Sequence, residues 1–115
     1  MENVPRADKS RAYEKAIKVL EKAGYGISKR VIDASRVGVP QSRKRLITIG
    51  WKNANKQDEI GELLDAGLSD HRTTMRDYFG DALGTEYIYR HPRSYARRAI
   101  FSIDEPCPTV RGVNR

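Results

Sequence analysis

One stretch of the chain, GVPQSRKRLI, places polar and cationic side chains at alternate positions. In an extended strand successive side chains point to opposite faces, which puts Gln41, Arg43 and Arg45 on one face. That face continues into Ile47 and Ile49, so the three donors are predicted at the open end of a buried strand. A guanidinium offers a planar fork of N–H donors and keeps its proton, which suits an anion or a polar ring. The alternative is an ordinary solvated strand end.

A second candidate site is the segment from residue 87 to residue 101, which interleaves aromatic rings with arginines and contains no acidic residue. Arginines bind phosphates with an affinity that falls steeply with salt, and aromatic faces stack on bases. The segment therefore favours a polyanionic partner, with phosphate contacts from Arg90, Arg93, Arg97 and Arg98. The alternative is a solvated edge strand whose aromatic residues face a core and whose arginines face water.

A helix and a pair of strands are predicted to position the first of these segments. The helix is capped by Asp8 or Ser10, carries an apolar stripe at spacings of three and four, and ends at Gly24. Two β-branched runs predict strands, and the ten residues between them are too few for a parallel crossover, so we expect an antiparallel pair. The two strands are predicted over residues 25–34 and 45–51. A linker is predicted over residues 53–57, and two short helices over residues 59–66 and 73–83.

Composition limits the classes of protein to which the chain can belong. Its 115 residues include 22 Lys and Arg against 15 Asp and Glu, a formal net charge of +7. This length supports one small core, not a core plus a complete cofactor-binding domain, which excludes a large self-contained enzyme. No apolar run approaches the roughly 20 residues of a membrane span, and no secretory signal opens the chain, so we expect a cytoplasmic protein. One cysteine and two histidines are too few for a disulfide or a structural zinc site.

Several blocks, taken together, carry a family resemblance. Residues 2–4, a helix ending at residues 23–25 and the block at residues 38–45 resemble, in order and spacing, the Glu-Asn-Val and Gln-x-Arg-x-Arg blocks of DNA (cytosine-5) methyltransferases. Residues 102–112 are similar to the segment by which family members return from their variable target-recognition region. The resemblance covers nearly the whole chain, strongly over residues 1–51 and at the far end, and weakly between.

The resemblance implies methyl transfer from S-adenosylmethionine to carbon 5 of a flipped-out cytosine, after a cysteine thiolate has added to carbon 6. Glu2 would bond the ring nitrogen and the exocyclic amine of the base and favour ring protonation. Arg45 would bond the carbonyl oxygen and hold Glu2, while Gln41 and Arg43 would serve phosphate contact and loop order. An unstacked cytosine presents a donor, a basic ring nitrogen and an acceptor along one edge, so both a carboxyl and a guanidinium are needed.

Two family features are missing from this sequence. Family members have a glycine-containing cofactor loop and a Pro-Cys nucleophile upstream of the Glu-Asn-Val block, whereas Gly24 and Gly26 here follow a helix rather than open one. Cys107 follows Pro106 but lies at the wrong end of the chain, precedes Pro108 and has no basic neighbour within three residues, so it is not the nucleophile. We expect the chain to be inactive alone, to bind no S-adenosylmethionine itself and to need a complementary N-terminal half or subunit.

The expected fold class is α/β, with a helix and an antiparallel edge-strand pair from a partial Rossmann-like methyltransferase sheet and a small irregular target-recognition region. Residues 1–52 are assigned to the catalytic domain, 53–103 to target recognition and 104–115 to the return segment. A truncated sheet exposes a strand edge, which predicts partner binding or self-association. The working hypothesis is part of a restriction–modification DNA cytosine methyltransferase acting on duplex DNA. The alternatives are a non-catalytic basic DNA-binding module and a folded remnant without activity.

Overall fold

The structure is a computed structural model that describes residues 1–52, 58–92, 94 and 96–109. Its contacts divide the chain into two units, Met1–Asp33 with Lys44–Leu68 and Ala34–Arg43 with Ser69–Arg115. The predicted linker at residues 53–57 lies outside the described residues. The division into catalytic, recognition and return segments concerns function rather than contacts, and it stays a prediction.

The described residues form short strands and helices joined by tight turns. In chain order the elements are β1 (Glu2–Asn3), α1 (Arg11–Lys22), β2 (Tyr25–Asp33), β3 (Gln41–Ser42), β4 (Lys44–Lys52), α2 (Glu59–Ala66), α3 (Met75–Phe79), β5 (Tyr87–Tyr89), β6 (Ile100–Ser102) and β7 (Cys107–Pro108). Three turns of 3₁₀ helix lie at Pro5–Lys9, Ala34–Val37 and Gly80–Leu83. No helix within the described part of the chain is both long enough and apolar enough to span a bilayer.

Helix α1 begins and ends where the sequence predicted. Ser10 is its N-cap and accepts a hydrogen bond from the backbone N–H of Tyr13 at 3.2 Å, which satisfies one of the free donors of the first turn. Asp8, the other candidate cap, lies in the preceding 3₁₀ turn. Gly24 follows the helix with a φ of +81°, in the left-handed region that glycine enters without a steric penalty.

The first unit contains a three-stranded sheet with β4 at its centre. Strands β2 and β4 pair antiparallel from Tyr25 opposite Lys52 to Asp33 opposite Lys44, which confirms the predicted pair. Strand β1 pairs antiparallel with the other edge of β4, so the strand order is β1-β4-β2. These elements confirm the α/β class.

The buried face of β4 is not the one that the sequence predicted. Leu46 and Thr48 are 2% and 6% exposed, whereas Ile47 and Ile49 on the opposite face are only half-buried. The physical reason is the position of α1, whose Ile17 packs with Leu46. The prediction that Arg45 shares a face with the core of this strand is therefore wrong. Arg45 points to the side away from α1, because successive side chains of a strand alternate.

Helix α2 forms over the predicted residues and is held by an arginine of β2. Arg30 donates from Nη1 to Asp58 at 2.8 Å and from Nε to Asp65 at 2.7 Å, so one side chain contacts the first and last turns of the helix. Asp58 is also the N-cap, and the Ser28 hydroxyl, the Gly61 N–H and Arg30 lower its pKa. A Cβ atom at Gly61 would meet the Arg30 guanidinium and the Asp58 carboxylate, so a side chain at this position would displace their ion pair.

The second unit packs around Met75 and Ile103, which are 3% and 2% exposed. Thr74 caps α3, and Asp77 accepts a hydrogen bond from the Thr74 N–H at 2.8 Å. This bond, with His71, lowers the pKa of Asp77 to about 2. A 3₁₀ turn continues α3 to Leu83, which confirms the predicted helix toward that residue. Two small ladders complete the unit: β5 with β6 antiparallel and β3 with β7 parallel.

The buried hydrogen bond between α1 and β4 gives a test of this packing. Tyr13 Oη and Thr48 Oγ1 lie 2.8 Å apart. We expect Tyr13→Phe to lower the free energy of unfolding by about 1–3 kcal/mol, because it leaves the Thr48 hydroxyl buried without its partner. Urea denaturation measures this loss. Adding Thr48→Val to Tyr13→Phe should restore part of it, since no polar group is then stranded, and fully additive losses would contradict the coupling.

Candidate functional site

The first block of the resemblance forms a strand that lies against the centre of the sheet. Glu2 is opposite Ile47 and Asn3 is opposite Leu46. The pairing extends to Met1, whose amino group donates to the Thr48 carbonyl at 2.7 Å and whose carbonyl accepts from the Thr48 N–H at 2.8 Å. This short ladder therefore fixes the register of Glu2 on β4.

The register brings Glu2 and Arg45 together on one face of the sheet. Arg45 precedes Ile47, the partner of Glu2, by two residues, so the two side chains are diagonal neighbours. Arg45 Nε lies 2.7 Å from Glu2 Oε1, and Arg45 Nη1 donates to the Lys44 carbonyl at 2.8 Å. The Arg45 side chain is 24% exposed and that of Glu2 54% exposed. A carboxylate and a guanidinium, fixed by β-ladder pairing, thus reach solvent side by side.

The structure does not place Gln41 and Arg43 on the same strand as Arg45. Gln41 belongs to β3, which pairs with β7, while Arg43 lies between β3 and β4, and its carbonyl accepts a hydrogen bond from the Ala34 N–H at 3.0 Å. The predicted continuous strand of three donors is therefore wrong. The reason is long-range, since Gln41 is opposite Cys107 in one ladder and β4 pairs with β1 and β2 in another. Gln41 and Arg43 belong to the second unit and Arg45 to the first.

Arginines that the sequence analysis did not single out hold the second unit together. Arg76 contacts Asp104, with Nε 2.6 Å from Oδ1, and also pairs with Glu86. Arg72 donates to the hydroxyls of Ser35 and Ser42 at 3.0 and 3.1 Å. A sequence signal was available for Arg76, because the stretch from residue 56 to residue 86 holds eight acidic residues against three basic ones, so a cation there is expected to pair locally.

The aromatic residues of β5 are not directed into a core. Tyr87 and Tyr89 are 64% and 67% exposed, while Ile88 between them is half-buried. The alternative of an edge strand with its aromatic residues facing a core is therefore wrong for β5. The two-residue period explains the outcome, since Ile88 pairs with Phe101 on the inner side of the ladder and both tyrosines point outward.

The candidate phosphate-binding arginines differ in their surroundings. Arg98 is exposed but bonded to neighbouring groups of the second unit. Its Nε donates to the Ile100 carbonyl at 2.7 Å and its Nη1 to Glu105 at 2.9 Å, and its guanidinium lies 4.6 Å from the centre of the Phe101 ring. Arg98 also lowers the pKa of Glu105. Arg97 is exposed and Arg90 is half-buried. Arg93 lies outside the described residues.

Cys107 lies in β7 and is half-buried. Burial raises the pKa of its thiol, although the charge of Arg90 opposes this effect. The thiol donates to the Pro108 carbonyl at 3.2 Å. A catalytic thiolate needs a lowered pKa, so these surroundings support the exclusion of Cys107 as the nucleophile. In the parts of the chain that the structure describes, no cluster of three or more His, Cys, Asp or Glu side chains is arranged to hold a metal ion.

Comparison with known proteins agrees with the resemblance carried by these residues. A family model described as "C-5 cytosine-specific DNA methylase" matches residues 1–104. The Type II methyltransferase M.HgiDI of Herpetosiphon aurantiacus is 50% identical over 115 residues, which is all of this chain and 37% of that protein. The Type II methyltransferase M.HindV of Haemophilus influenzae is also 50% identical over the whole chain, which spans 38% of it. Among solved structures, the S. pombe Dnmt2 methyltransferase matches 83% of this chain, and the match spans 28% of the Dnmt2 chain. The TM-score is 0.51 and the sequence identity is 22%.

The chain belongs to the family of C-5 cytosine-specific DNA methylases, and its relatives are methyltransferases of restriction–modification type. This confirms the resemblance found in the sequence. The likeness to the Dnmt2 structure supports a partial methyltransferase fold. The chain spans well under half the length of M.HgiDI and M.HindV, so it corresponds to one portion of such a protein.

The environment of Cys107 gives a second prediction. Because burial raises the pKa of the thiol, we expect the folded chain to react with iodoacetamide at neutral pH at least about tenfold more slowly than the same chain in urea. The rate should rise as the pH approaches the raised pKa. Mass spectrometry of the alkylated peptide measures both. A rate equal to that of the unfolded chain would show that the thiol is activated or freely exposed.

Proposed function

We propose that this chain is the portion of a DNA (cytosine-5) methyltransferase that holds the target cytosine and part of the DNA. In the complete enzyme a methyl group passes from S-adenosylmethionine to carbon 5 of a cytosine flipped out of duplex DNA. A complementary N-terminal half or subunit supplies the nucleophilic cysteine and the cofactor site. The observation that carries the proposal is the 2.7 Å pair of Glu2 and Arg45 on adjacent strands of a chain from this family.

The pair matches the hydrogen-bonding edge of an unstacked cytosine. The base presents an exocyclic amine, a basic ring nitrogen and a carbonyl oxygen in a row. Glu2 accepts from the amine and shares a proton with the ring nitrogen, which withdraws electrons from carbon 6 and eases attack there. Arg45 donates to the carbonyl oxygen while its Nε holds Glu2. A guanidinium carries five N–H donors, and the contacts to Glu2 and Lys44 use two of them.

The ladder between β1 and β4 preorganises this pair before the base arrives. Glu2 cannot shift along β4 without breaking the backbone bonds between Met1 and Thr48. An electrostatic group fixed in advance does not have to be reordered during the reaction, which is the main advantage of a preformed site. The half-exposed position of Glu2 leaves it accessible to a flipped base.

The cofactor site is proposed to lie outside this chain. S-adenosylmethionine supplies the methyl group when it is bound in the complete enzyme. A nucleotide-type cofactor is held where a glycine-rich turn leads from a strand into a helix. Here Gly24 and Gly26 lie where α1 passes into β2, which is the opposite order, and Gly24 serves to end the helix. The glycines of this junction do not fit a cofactor loop.

The remaining assignments concern DNA and the missing partner. We assign Gln41 and Arg43 to phosphate contact and loop order, and residues 53–103 to target recognition, with residues 104–115 returning to the catalytic domain. Strand β1 has two residues, so most of that edge of β4 has no strand partner among the described residues. An open edge of this kind pairs readily with another strand. We propose that the complementary half completes a Rossmann-like sheet there, and that self-association competes with it.

A chimera tests the active-site assignment. Because M.HgiDI is 50% identical over the whole chain, the corresponding part of that protein can be replaced by this sequence. We expect the chimera to transfer tritiated methyl groups from S-adenosylmethionine to DNA, and the isolated chain to transfer none. Glu2→Gln and Arg45→Ala should each lower kcat in the chimera by about two or more orders of magnitude, because each removes an acid–base or electrostatic group.

Lys44→Ala is the matched control for Arg45→Ala. Lys44 is adjacent in sequence, exposed, and on the opposite face of β4, so its loss should change kcat by less than about threefold. DNA affinity should change little in all three variants. If Lys44→Ala proved as damaging as Arg45→Ala, the role assigned to Arg45 would be wrong. Methylation by the isolated chain would place the nucleophile and the cofactor site inside it.

Salt dependence tests the proposed phosphate contacts. Replacing Arg90, Arg93 and Arg97 together by Gln should flatten the plot of log affinity against log salt for duplex DNA, by about 0.9 for each phosphate that the protein no longer neutralises. Arg98 was also predicted to contact phosphate, but it is paired with Glu105. We therefore expect Arg98→Gln to lower the stability of the β5–β6 ladder and to change the slope less than the other replacements do. The matched control neutralises three lysines of α1: Lys15, Lys18 and Lys22. An equal flattening by the control would show that net charge, not the β5–β6 segment, governs binding.

A further inference from the structure

Helix α3 ends in a pair of exposed aromatic side chains. Tyr78 and Phe79 are 63% and 43% exposed, and their ring centres lie 4.9 Å apart in an edge-to-face arrangement. Leu83, in the 3₁₀ turn that follows, is also exposed. We call these three side chains the aromatic patch. Large apolar side chains that stay in water as a group mark a surface that contacts another molecule.

The carboxylates around the aromatic patch give it a negative charge. Asp77 precedes Tyr78, and the fully exposed carboxylate of Asp81 lies 3.8 Å from Arg76. Arg76 also pairs with Glu86 and Asp104, so four acidic residues surround one basic residue. A surface of this charge repels phosphates, which means that DNA does not complement it. A complementary partner is instead a protein surface that combines apolar side chains with cations.

Helix α1 of the first unit carries a surface of that kind. Val19 is 65% exposed, and the residues three and four positions away from it on a helix are its neighbours. These neighbours include Lys15 and Lys22, and Lys18 lies next to Val19 in sequence. All three lysines are exposed. We call Val19 and these lysines the lysine face of α1.

The lysine face is separate from the side of α1 that packs on the sheet. Tyr13 and Ile17 form that side together with Leu46. Successive residues of an α-helix are about 100° apart, so Val19 points away from both Tyr13 and Ile17. The exposed alanines at positions 16 and 23 extend the apolar part of the face along the helix.

We propose that the aromatic patch of one copy of the chain binds the lysine face of a second copy. The aromatic rings then cover Val19, while the carboxylates beside the patch meet the lysines of α1. Surfaces of opposite charge favour the encounter and fix the orientation of the partners. The two surfaces differ, so a pair of copies keeps one free patch and one free lysine face, and short chains can grow.

Sedimentation velocity of the unmodified 115-residue chain gives the first test. The contact is small and each copy carries a net charge of +7, so we expect weak association that appears between about 10 μM and 1 mM chain. The sedimentation coefficient should rise with concentration at low salt. It should fall again in about 0.5 M salt, because exposed charges are then screened.

Two variants, each altered on one surface, give the second test. Tyr78→Ser/Asp81→Ser changes only the patch, and Lys15→Glu/Lys22→Glu changes only the lysine face. Each variant alone should associate at least about tenfold more weakly than the unmodified chain, because it lacks one half of the contact. An equimolar mixture of the two should form a 1:1 complex and nothing larger, since only one intact patch can meet one intact lysine face.

Matched controls change the same kinds of side chain elsewhere. Leu63→Ser/Asp70→Ser removes an exposed apolar group and an exposed carboxylate, and Lys52→Glu/Arg97→Glu makes the same change of charge as the α1 variant. Both controls should associate as the unmodified chain does. Unfolding in urea shows whether each variant keeps its fold.

Each other outcome makes the inference wrong, and none depends on the proposed methyltransferase function. An unmodified chain that stays monomeric, or whose association does not weaken with salt, would contradict the charged contact. Association that survives in both altered variants would assign self-contact to another surface, such as the open edge of β4. Folded variants that each fail alone and do not form a complex when mixed would show that the patch and the lysine face are not partners.

Discussion

The pairing of β4 along both of its edges is the constraint on which the first unit depends. Nine residues of β2 fix the register of β4 along one edge. The short β1 strand pairs with the other edge, so its position depends on the same strand. Side chains alternate along a strand, so a slip by one residue would exchange its two faces. In the observed register Leu46 packs against α1 and Arg45 meets Glu2 on the opposite side. The core and the candidate active site are thus consequences of one set of backbone hydrogen bonds.

The two faces of the sheet carry different kinds of side chains. One face carries the apolar contacts and the buried Tyr13–Thr48 hydrogen bond, which resist displacement. The other carries polar side chains, including Arg30 with its two aspartates and Arg45 with Glu2. Glu2 stays 54% exposed on this second face, where it pairs with Arg45, while the apolar packing against α1 lies on the first.

Local signals in the sequence predicted more of this structure than did signals that depend on distant partners. The cap at Ser10, the stop at Gly24 and the antiparallel pair are set by neighbouring residues and by short separations, and all were predicted. The buried face of β4 was not, because only the docking of α1 decides between Leu46 and Ile47. The break at Arg43 was missed for the same reason, since β3 is formed by pairing with residues more than sixty positions later. The closeness of Glu2 and Arg45 followed only from the family resemblance, as nothing in their spacing indicates it.

The contacts of Arg98 and Glu105 determine which positions of the β5–β6 ladder tolerate substitution. Glu105 accepts a hydrogen bond from the Ser102 N–H at 2.8 Å, at the last residue of β6, and Arg98 donates to the carbonyl of Ile100, the first residue of β6. Arg98 also donates to Glu105, so the two side chains together hold both ends of the strand. None of these bonds involves the side chains of Tyr87, Tyr89 or Ile100. Substitutions on the outward side of the ladder can therefore accumulate while the hydrogen bonds of Arg98 and Glu105 maintain the pairing of β5 with β6. The exposed side of the ladder can therefore diverge among relatives by single substitutions, without passing through unfolded intermediates.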